Sequence, residues 1–384
     1  MSKGKKIVGI LAFGNEEGGG IYQYTQSIID ALKFDRTKKY VIFCNEKDDR
    51  FDNLNIDVRK LPNRNSFFFL KLLEYLQIIL KIRNPISFST NELKSFIDID
   101  IFLCPSISLY PHFFLGKPFV FTLHDMQERY YPEFFTKKDR FFRWLNTKRL
   151  SSFANNIICE SSFVKKDIIK FLGVSENKIT IIESPPPEEF LNFSFEKLQM
   201  EKVVKKYSLP EKFIFYPAQC WPHKNHLNLI EAFNIIKSTH PDVNLVFIGS
   251  QKEYYKILTK KINDLNLTKK IFHLGYIDYE DLPYLYRLSE MLVMPSLFES
   301  VSIPVFEAFA IGTPVCCSNV VALPEQVGDA GVIFDPNNIF DMASKISLLL
   351  KDKQFKKELI VKGSQRVSNF NHQNYKVKLI GLFN

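Results

Sequence analysis

Short apolar runs recur along the whole chain, and most are followed by a stretch in which apolar residues return at helical spacing. An uninterrupted apolar run is what a strand needs when both faces of its sheet are covered, the condition of a parallel sheet. Parallel strands must be joined by crossovers, usually helices, so the alternation restricts the chain to the α/β class with doubly wound parallel sheets. In the first half the strand candidates are 7–13, 40–45, 99–104, 119–123, 156–159 and 179–182, with helices expected at 21–32, 67–82, 139–153 and 162–172. In the second half the strands fall at 213–217, 244–248, 270–274, 291–294, 314–317 and 331–334. Helices are expected there at 226–238, 252–265, 282–289 and 304–311. The stiff, non-helical junction Ser184-Pro185-Pro186-Pro187 separates the two halves, and a helix at 195–207 opens the second.

At 384 residues the chain is long enough for two domains, each with its own core. A hydrophobic share of 46% and a charged share of 24% are ordinary for a soluble globular protein. The net charge of +9 admits three kinds of partner: nucleic acid, an anionic membrane surface, or an anionic substrate. The basic residues are scattered and no nucleic-acid-binding motif accompanies them. Nucleic acid is therefore not expected, and peripheral contact with an anionic membrane stays open. Cys44, Cys104, Cys159, Cys220, Cys316 and Cys317 show no metal-ligand spacing, and the first three end apolar runs, as buried reduced thiols do. The opening MSKGKK leads straight into a strand-like IVGILAF, and no apolar run reaches the roughly 20 residues of a membrane span. The expected location is the cytoplasm, with the inner face of the cell membrane as a peripheral site.

The stretch from Met294 to Pro336 carries the most chemistry. Glu299 and Glu307 lie eight positions apart, with Pro304 suited to the first turn of a helix and Gly312 to its end. Glu299 then sits on a loop and Glu307 inside the helix, with the helix N-terminus between them. Free N–H groups and the positive end of the helix dipole there suit an anion, and the carboxylates suit sugar hydroxyls. From the spacing alone, a buried loop and helix with two solvated glutamates is the competing reading. Lys224 falls where the strand 213–217 leads into a helix opening near Asn225, the usual place of phosphate in an open α/β sheet. His124 and Asp125 follow the strand 119–123. Gly18, Gly19 and Gly20 separate the first strand from its helix, a flexible loop without the G-x-G-x-x-G fingerprint of a dinucleotide site.

The run PSLFESVSIPVFEAFAIGTPV resembles the E-x7-E signature of family 4 retaining glycosyltransferases, P-S-x-x-E-G-F-G-x-P-x-x-E-A-x-A-x-G-x-P-V, and SNVVALPEQVGDAGVIFDP continues the likeness. The resemblance implies the GT-B architecture, two Rossmann-like domains facing a cleft. It divides the chain into an acceptor domain at 1–185, a nucleotide-sugar donor domain at 186–365, and a closing helix at 366–384 that crosses back to the first. It implies that Glu307 binds ribose hydroxyls, that Glu299 contacts the transferred sugar, and that the amides of Ser300, Val301, Ser302 and Ile303 hold sugar and phosphate. Ser300 and Ser302 replace two glycines of the family pattern. The loop YPAQCWPHKNH resembles the segment whose Lys, here Lys224, binds the diphosphate. Gln219 stands where the family often has an Arg, which leaves one positive charge on the leaving group unaccounted for: either another donor compensates, or Lys224, the helix dipole and His223 meet the negative charge. Loops of the W-P-H-K-N-H kind resemble those of mannosyltransferase-like members and point to GDP-mannose.

The segment TLHD resembles the family's T-x-H-D, which places His124 beside the transferred sugar, with Asp125 orienting it or contacting acceptor. ICESSFVKKDI is similar to the family's S-x-x-x-K-x-D-I and directs Glu160 and Ser161 to the cleft. The glycine loop would face donor phosphates and acceptor. Catalysis is then expected to rest on Glu299, His124 and Lys224. No metal and no cofactor are expected, because Lys and helix N-termini replace the cation. The implied partners are a nucleotide-sugar donor and a glycan or lipid-linked saccharide acceptor, as in O-antigen polysaccharide synthesis. The alternatives are a UDP-sugar transferase with a small-molecule or glycolipid acceptor, a catalytically silent nucleotide-sugar-binding protein, and a NAD-dependent oxidoreductase disfavoured by the missing fingerprint.

Overall fold

The computed structural model describes residues 5–13, 20–62, 76, 77, 79, 80 and 89–384, the side chains of 90, 113 and 114 aside. The chain forms two compact units: Met1–Pro185 together with His372–Asn384, and Pro186–Asn371. Each is an all-parallel sheet with helices on its faces.

In the first unit the strands are β1 (Ile7–Leu11), β2 (Lys39–Asn45), β3 (Asp57–Leu61), β4 (Ile101–Cys104), β5 (Phe119–Thr122), β6 (Asn156–Cys159) and β7 (Ile179–Ile181). Their order across the sheet is β3-β2-β1-β4-β5-β6-β7. The central strands β4 and β5 are buried at every position, which is why they read as unbroken apolar runs. Sequence patterning does not find β3. Its DVRKL is polar, and only Leu61 is fully buried, because it is an edge strand paired on one side with β2. Arg59 on that strand is held by Asp57 and Asp98.

The helix Gly20–Leu32 buries Tyr24, Ile28, Ile29 and Leu32 against the sheet. The helix His372–Gly381 packs beside it, with the hydroxyls of Ser27 and Tyr375 3.2 Å apart and the Phe383 ring edge-on to Tyr40. The helix Lys137–Phe153 starts two residues before its expected 139, since the Thr136 hydroxyl caps it by accepting from the Asp139 N–H. The segment 162–172 is helical but widens after Asp167 into a π turn over Ile168–Leu172, closed by Gly173 at φ 66°. The helix expected at 67–82 lies outside the described residues, apart from 76, 77, 79 and 80.

The second unit holds β8 (Phe213–Pro217), β9 (Asn244–Ile248), β10 (Ile271–His273), β11 (Met291–Met294), β12 (Val315–Ser318) and β13 (Gly331–Phe334), in the order β10-β9-β8-β11-β12-β13. Its core is continuous from Phe213 and Phe215 through Tyr286, Met291 and Phe309 to Leu349 and Leu359. The helices His226–Thr239 and Ile339–Lys351 pack together on this sheet. The helix Lys353–Ser368 packs against Ile303–Ile311, and Gly363 makes that approach, since a Cβ there would stand 2.5 Å from the Phe309 ring. Because this helix runs to Ser368 within the second unit, the chain rejoins the first unit at His372, later than position 366.

Candidate functional site

In a doubly wound sheet the strand order reverses at one point, and the loops leaving the two strands there part to opposite faces and leave a crevice. In the second unit that point lies between β8 and β11. The loop after β8 carries Lys224 and the loop after β11 carries Glu299. The short turn Pro222–Lys224 is stopped by Asn225 in the left-handed conformation, φ 59°. The Asn225 side-chain amide donates to the carbonyls of Pro295 at 3.0 Å and Pro336 at 2.9 Å, and the Leu297 N–H donates to the His223 carbonyl at 2.8 Å. These bonds lace the two loops together. Lys224 Nζ stands 2.6 Å from Glu299 Oε2, an oxygen that also accepts from the Ser296 hydroxyl at 3.0 Å. The Tyr216 hydroxyl donates to the Lys224 carbonyl at 2.8 Å from beneath.

Glu307 lies in the helix Ile303–Ile311, with Ser302 at the N-cap, Pro304 in the first turn, and Gly312 at φ 78° ending it. Only 3% of the residue is exposed, and its Oε2 accepts from the Tyr286 hydroxyl at 2.6 Å. Burial pushes this carboxyl up to about 7, against the opposing pull of the Tyr286 hydrogen bond. Ser300, Val301 and Ile303 are half-buried, while Ser302 is buried. The Gln326 side chain clamps the Ser302 backbone at both ends, accepting from its N–H at 2.9 Å and donating to its carbonyl at 2.6 Å. Gln219 Oε1 accepts from the Trp221 indole N–H at 3.0 Å. Burial and the neighbouring Lys224 push His223 down to about 3, so it is a neutral ring at physiological pH. It adds no positive charge beside Lys224.

In the first unit, His124 leaves the end of β5 and Glu160 the end of β6. His124 Nδ1 lies 2.7 Å from Glu160 Oε2, and Nε2 lies 2.8 Å from the Pro105 carbonyl after β4. The Ser184 hydroxyl donates to the other Glu160 oxygen. Burial alone would lower His124; the Glu160 hydrogen bond and charge, with the Pro105 carbonyl, outweigh it and hold the imidazole above its ordinary value. Asp125 does not orient His124. It accepts from Arg143 Nη2 at 2.9 Å and from the Gln127 N–H at 3.2 Å, while Arg143 Nε reaches the buried Glu128 at 3.0 Å. Gly20 opens its helix with open space where a Cβ would be. Gly18 and Gly19 lie outside the described residues.

The residues that sequence reasoning missed are the partners: Tyr286, Ser296, Gln326, Ser184, Arg143 and Tyr24. Apart from Ser296, three residues before Glu299, none lies in a local pattern with the group it serves, and Tyr286 precedes Glu307 by a strand and two loops. Among the described residues no cluster of His, Cys, Asp or Glu is arranged to hold a metal ion, and no helix is long and apolar enough to cross a membrane. All six cysteines are buried and unpaired as disulfides.

Two parallel-sheet units, with an acidic pair flanking a helix N-terminus at the switch point of the second, define a glycosyltransferase of the GT-B fold. The chain matches Glycosyltransferase Family 4 over residues 18–185 and Glycosyl transferases group 1 over residues 199–366, and it belongs to this family. It is 28% identical over 279 residues to O-antigen chain mannosyltransferase B of Escherichia coli, covering 71% of this chain and 72% of that one. It is 25% identical over 340 residues to O-antigen chain mannosyltransferase RfbU of Salmonella typhimurium, covering 86% and 87%. A match to the serotype-specific mannosyltransferase WbdA of Escherichia coli, 26% identical, takes in 61% of this chain but only 29% of that longer protein. Among solved structures, Anabaena Alr3699/HepE in complex with UDP-glucose superposes with a TM-score of 0.77 at 17% identity, covering 98% of both chains. WaaG, a glycosyltransferase involved in lipopolysaccharide biosynthesis, superposes with a TM-score of 0.74 at 13% identity over 98% and 99%.

Proposed function

We propose that the protein is a retaining, metal-independent hexosyltransferase that moves mannose from GDP-mannose to a growing surface glycan or a lipid-linked saccharide. The observation that carries this reading is the Lys224–Glu299 pair at the β8/β11 switch point, with Glu307 on the helix that follows. In the free protein each group neutralises the other. An arriving diphosphate draws Lys224 to itself and releases the Glu299 carboxylate to accept from a sugar hydroxyl, so donor binding assembles the sugar site. The bond between the sugar anomeric carbon and the diphosphate oxygen breaks, and the acceptor oxygen bonds that carbon on the same face. The acceptor proton passes to the leaving phosphate oxygen. Lys224 and the N-terminus of the helix Ile303–Ile311 stabilise the charge that develops on the diphosphate. Glu307 accepts from the ribose hydroxyls. His124 positions the sugar with the buried Glu160 behind it, while Asp125 and the loop of Gly18, Gly19 and Gly20 serve acceptor or phosphate.

The mannosyl assignment draws on the names of the relatives, and the net charge of +9 supports peripheral contact with an anionic membrane where a lipid-linked acceptor lies. A second reading, transfer from a UDP-sugar to a small-molecule or glycolipid acceptor, draws on the HepE complex with UDP-glucose. Calorimetric titration of GDP, UDP, ADP, dTDP and their sugar conjugates, against wild type and Glu307→Ala, separates the two. Selective GDP-mannose binding that the substitution abolishes is the expected result. Selective binding of a UDP-sugar refutes the mannosyl assignment, and no binding at all refutes the donor site.

A further inference from the structure

Both nitrogens of His124 are already engaged. The Pro105 carbonyl can only accept, so Nε2 carries a hydrogen and donates it. The Nδ1 contact with Glu160 shares a second proton. Glu160 is 5% exposed, and its other oxygen accepts the Ser184 hydroxyl, which fixes the carboxyl group against the ring. The Tyr24 ring stands edge-on to the imidazole with centroids 4.8 Å apart, and the Tyr24 hydroxyl is bound to Thr122 at 2.9 Å, which closes off ring rotation from the helix side.

We infer that Glu160 is a positioning residue that fixes His124 as an imidazolium, and that the reaction uses His124 as a stationary positive charge and not as a proton acceptor. The inference rests on the reading that His124 stands beside the transferred sugar. A ring with hydrogens on both nitrogens has no lone pair with which to take the acceptor proton, and this agrees with its transfer to the leaving phosphate. What it does supply is a fixed positive charge beside the transferred sugar. The charged groups that act on the ring are Glu160 at the end of β6 and Asp125 on the same loop, itself engaged by Arg143; Tyr24 stands edge-on to the ring, with Tyr375 and Cys159 next to Tyr24. Glu160 is the one in hydrogen-bond contact with the ring.

The test is nitrogen NMR of the full chain labelled at histidine, run beside the pH dependence of kcat/KM for transfer from GDP-mannose. At pH 7.5, His124 of the wild type is expected to show two protonated nitrogens, and that of Glu160→Gln the signature of a neutral ring. In the activity profile the high-pH limb is expected to move down by about 1–3 pH units in Glu160→Gln, and Glu160→Asp to recover part of the shift. Ser184→Ala, which removes only the outer hydrogen bond, moves the limb in the same direction by less. A neutral His124 in the wild type overturns the assignment. So does a limb that stays in place when the ring has lost its proton. Binding of GDP-mannose does not pass through Glu160, so its absence marks failure of the donor assignment and not of this one.

Discussion

Replacing Glu307 by glutamine should make the ligand-free protein more stable in mild alkali while removing nucleotide binding. Burial raises this carboxyl from its usual 4.5 to about 7. A carboxyl whose folded value lies above its unfolded value contributes stability that is fully present below pH 4.5 and is lost as the pH rises through 7. At about 1.4 kcal/mol per pH unit, the wild type forfeits on the order of 3 kcal/mol across that window. Glutamine has nearly the shape of the protonated acid, keeps an acceptor for the Tyr286 hydroxyl, and does not titrate. The two proteins should therefore melt together at pH 5. At pH 8 the variant should be more stable by about 3 kcal/mol, or about 6–12 °C for a unit of this size. Urea denaturation and calorimetry at the two pH values measure the difference directly. An advantage of the same size at both pH values, or a variant less stable at pH 8, would refute the reasoning. The companion loss of GDP-mannose binding by calorimetry reports why an ionisable group is kept where burial disfavours its charge.

Lys224→Met should weaken nucleoside diphosphate binding about 10- to 100-fold, the worth of a charge-assisted hydrogen bond, and barely touch nucleoside binding. Glu299→Gln removes the carboxylate that competes for Lys224, so GDP should bind at least as tightly by calorimetry while kcat collapses; weaker GDP binding would contradict the exchange of partners. Arg143→Ala leaves the buried Glu128 the longer contact to Arg129 at 3.9 Å and frees Asp125, with an expected loss of about 1–3 kcal/mol in chemical denaturation. Gly363→Ala pits a helix-propensity gain of up to about 1 kcal/mol against a Cβ 2.5 Å from the Phe309 ring. Overpacking should win by about 1–2 kcal/mol, seen as a lower Tm, and the shifted helix Ile303–Ile311 should weaken nucleotide binding as well.

The α/β class and the places of its strands could be read from residue order, because a strand buried on both faces must be apolar along its length. β4, β5, β8 and β11 announce themselves for that reason. β3 does not, since an edge strand is buried on one side at most and its charges look like a loop. The helix Ile303–Ile311 was legible to within a residue from Pro304 and Gly312, and with it the placement of Glu299 on the loop and Glu307 inside. The partners of those carboxylates were not. Lys224 and Glu299 are 75 residues apart, and His124 and Glu160 are 36 apart. Tyr286 marks nothing in the sequence around it.

Periodicity and turn chemistry are local, and they sufficed for the class of fold and for most of the strands, while the family was read from the resemblance of the run around Glu299 and Glu307. The charge of a group depends on what surrounds it, and distant segments set those surroundings. Only the tertiary structure decided that His223 is neutral, that Glu307 resists ionisation, that Asp125 turns to Arg143, and that His124 is held by Glu160. Each follows from desolvation and from hydrogen bonds closed across strands far apart in sequence, which no one-dimensional pattern records.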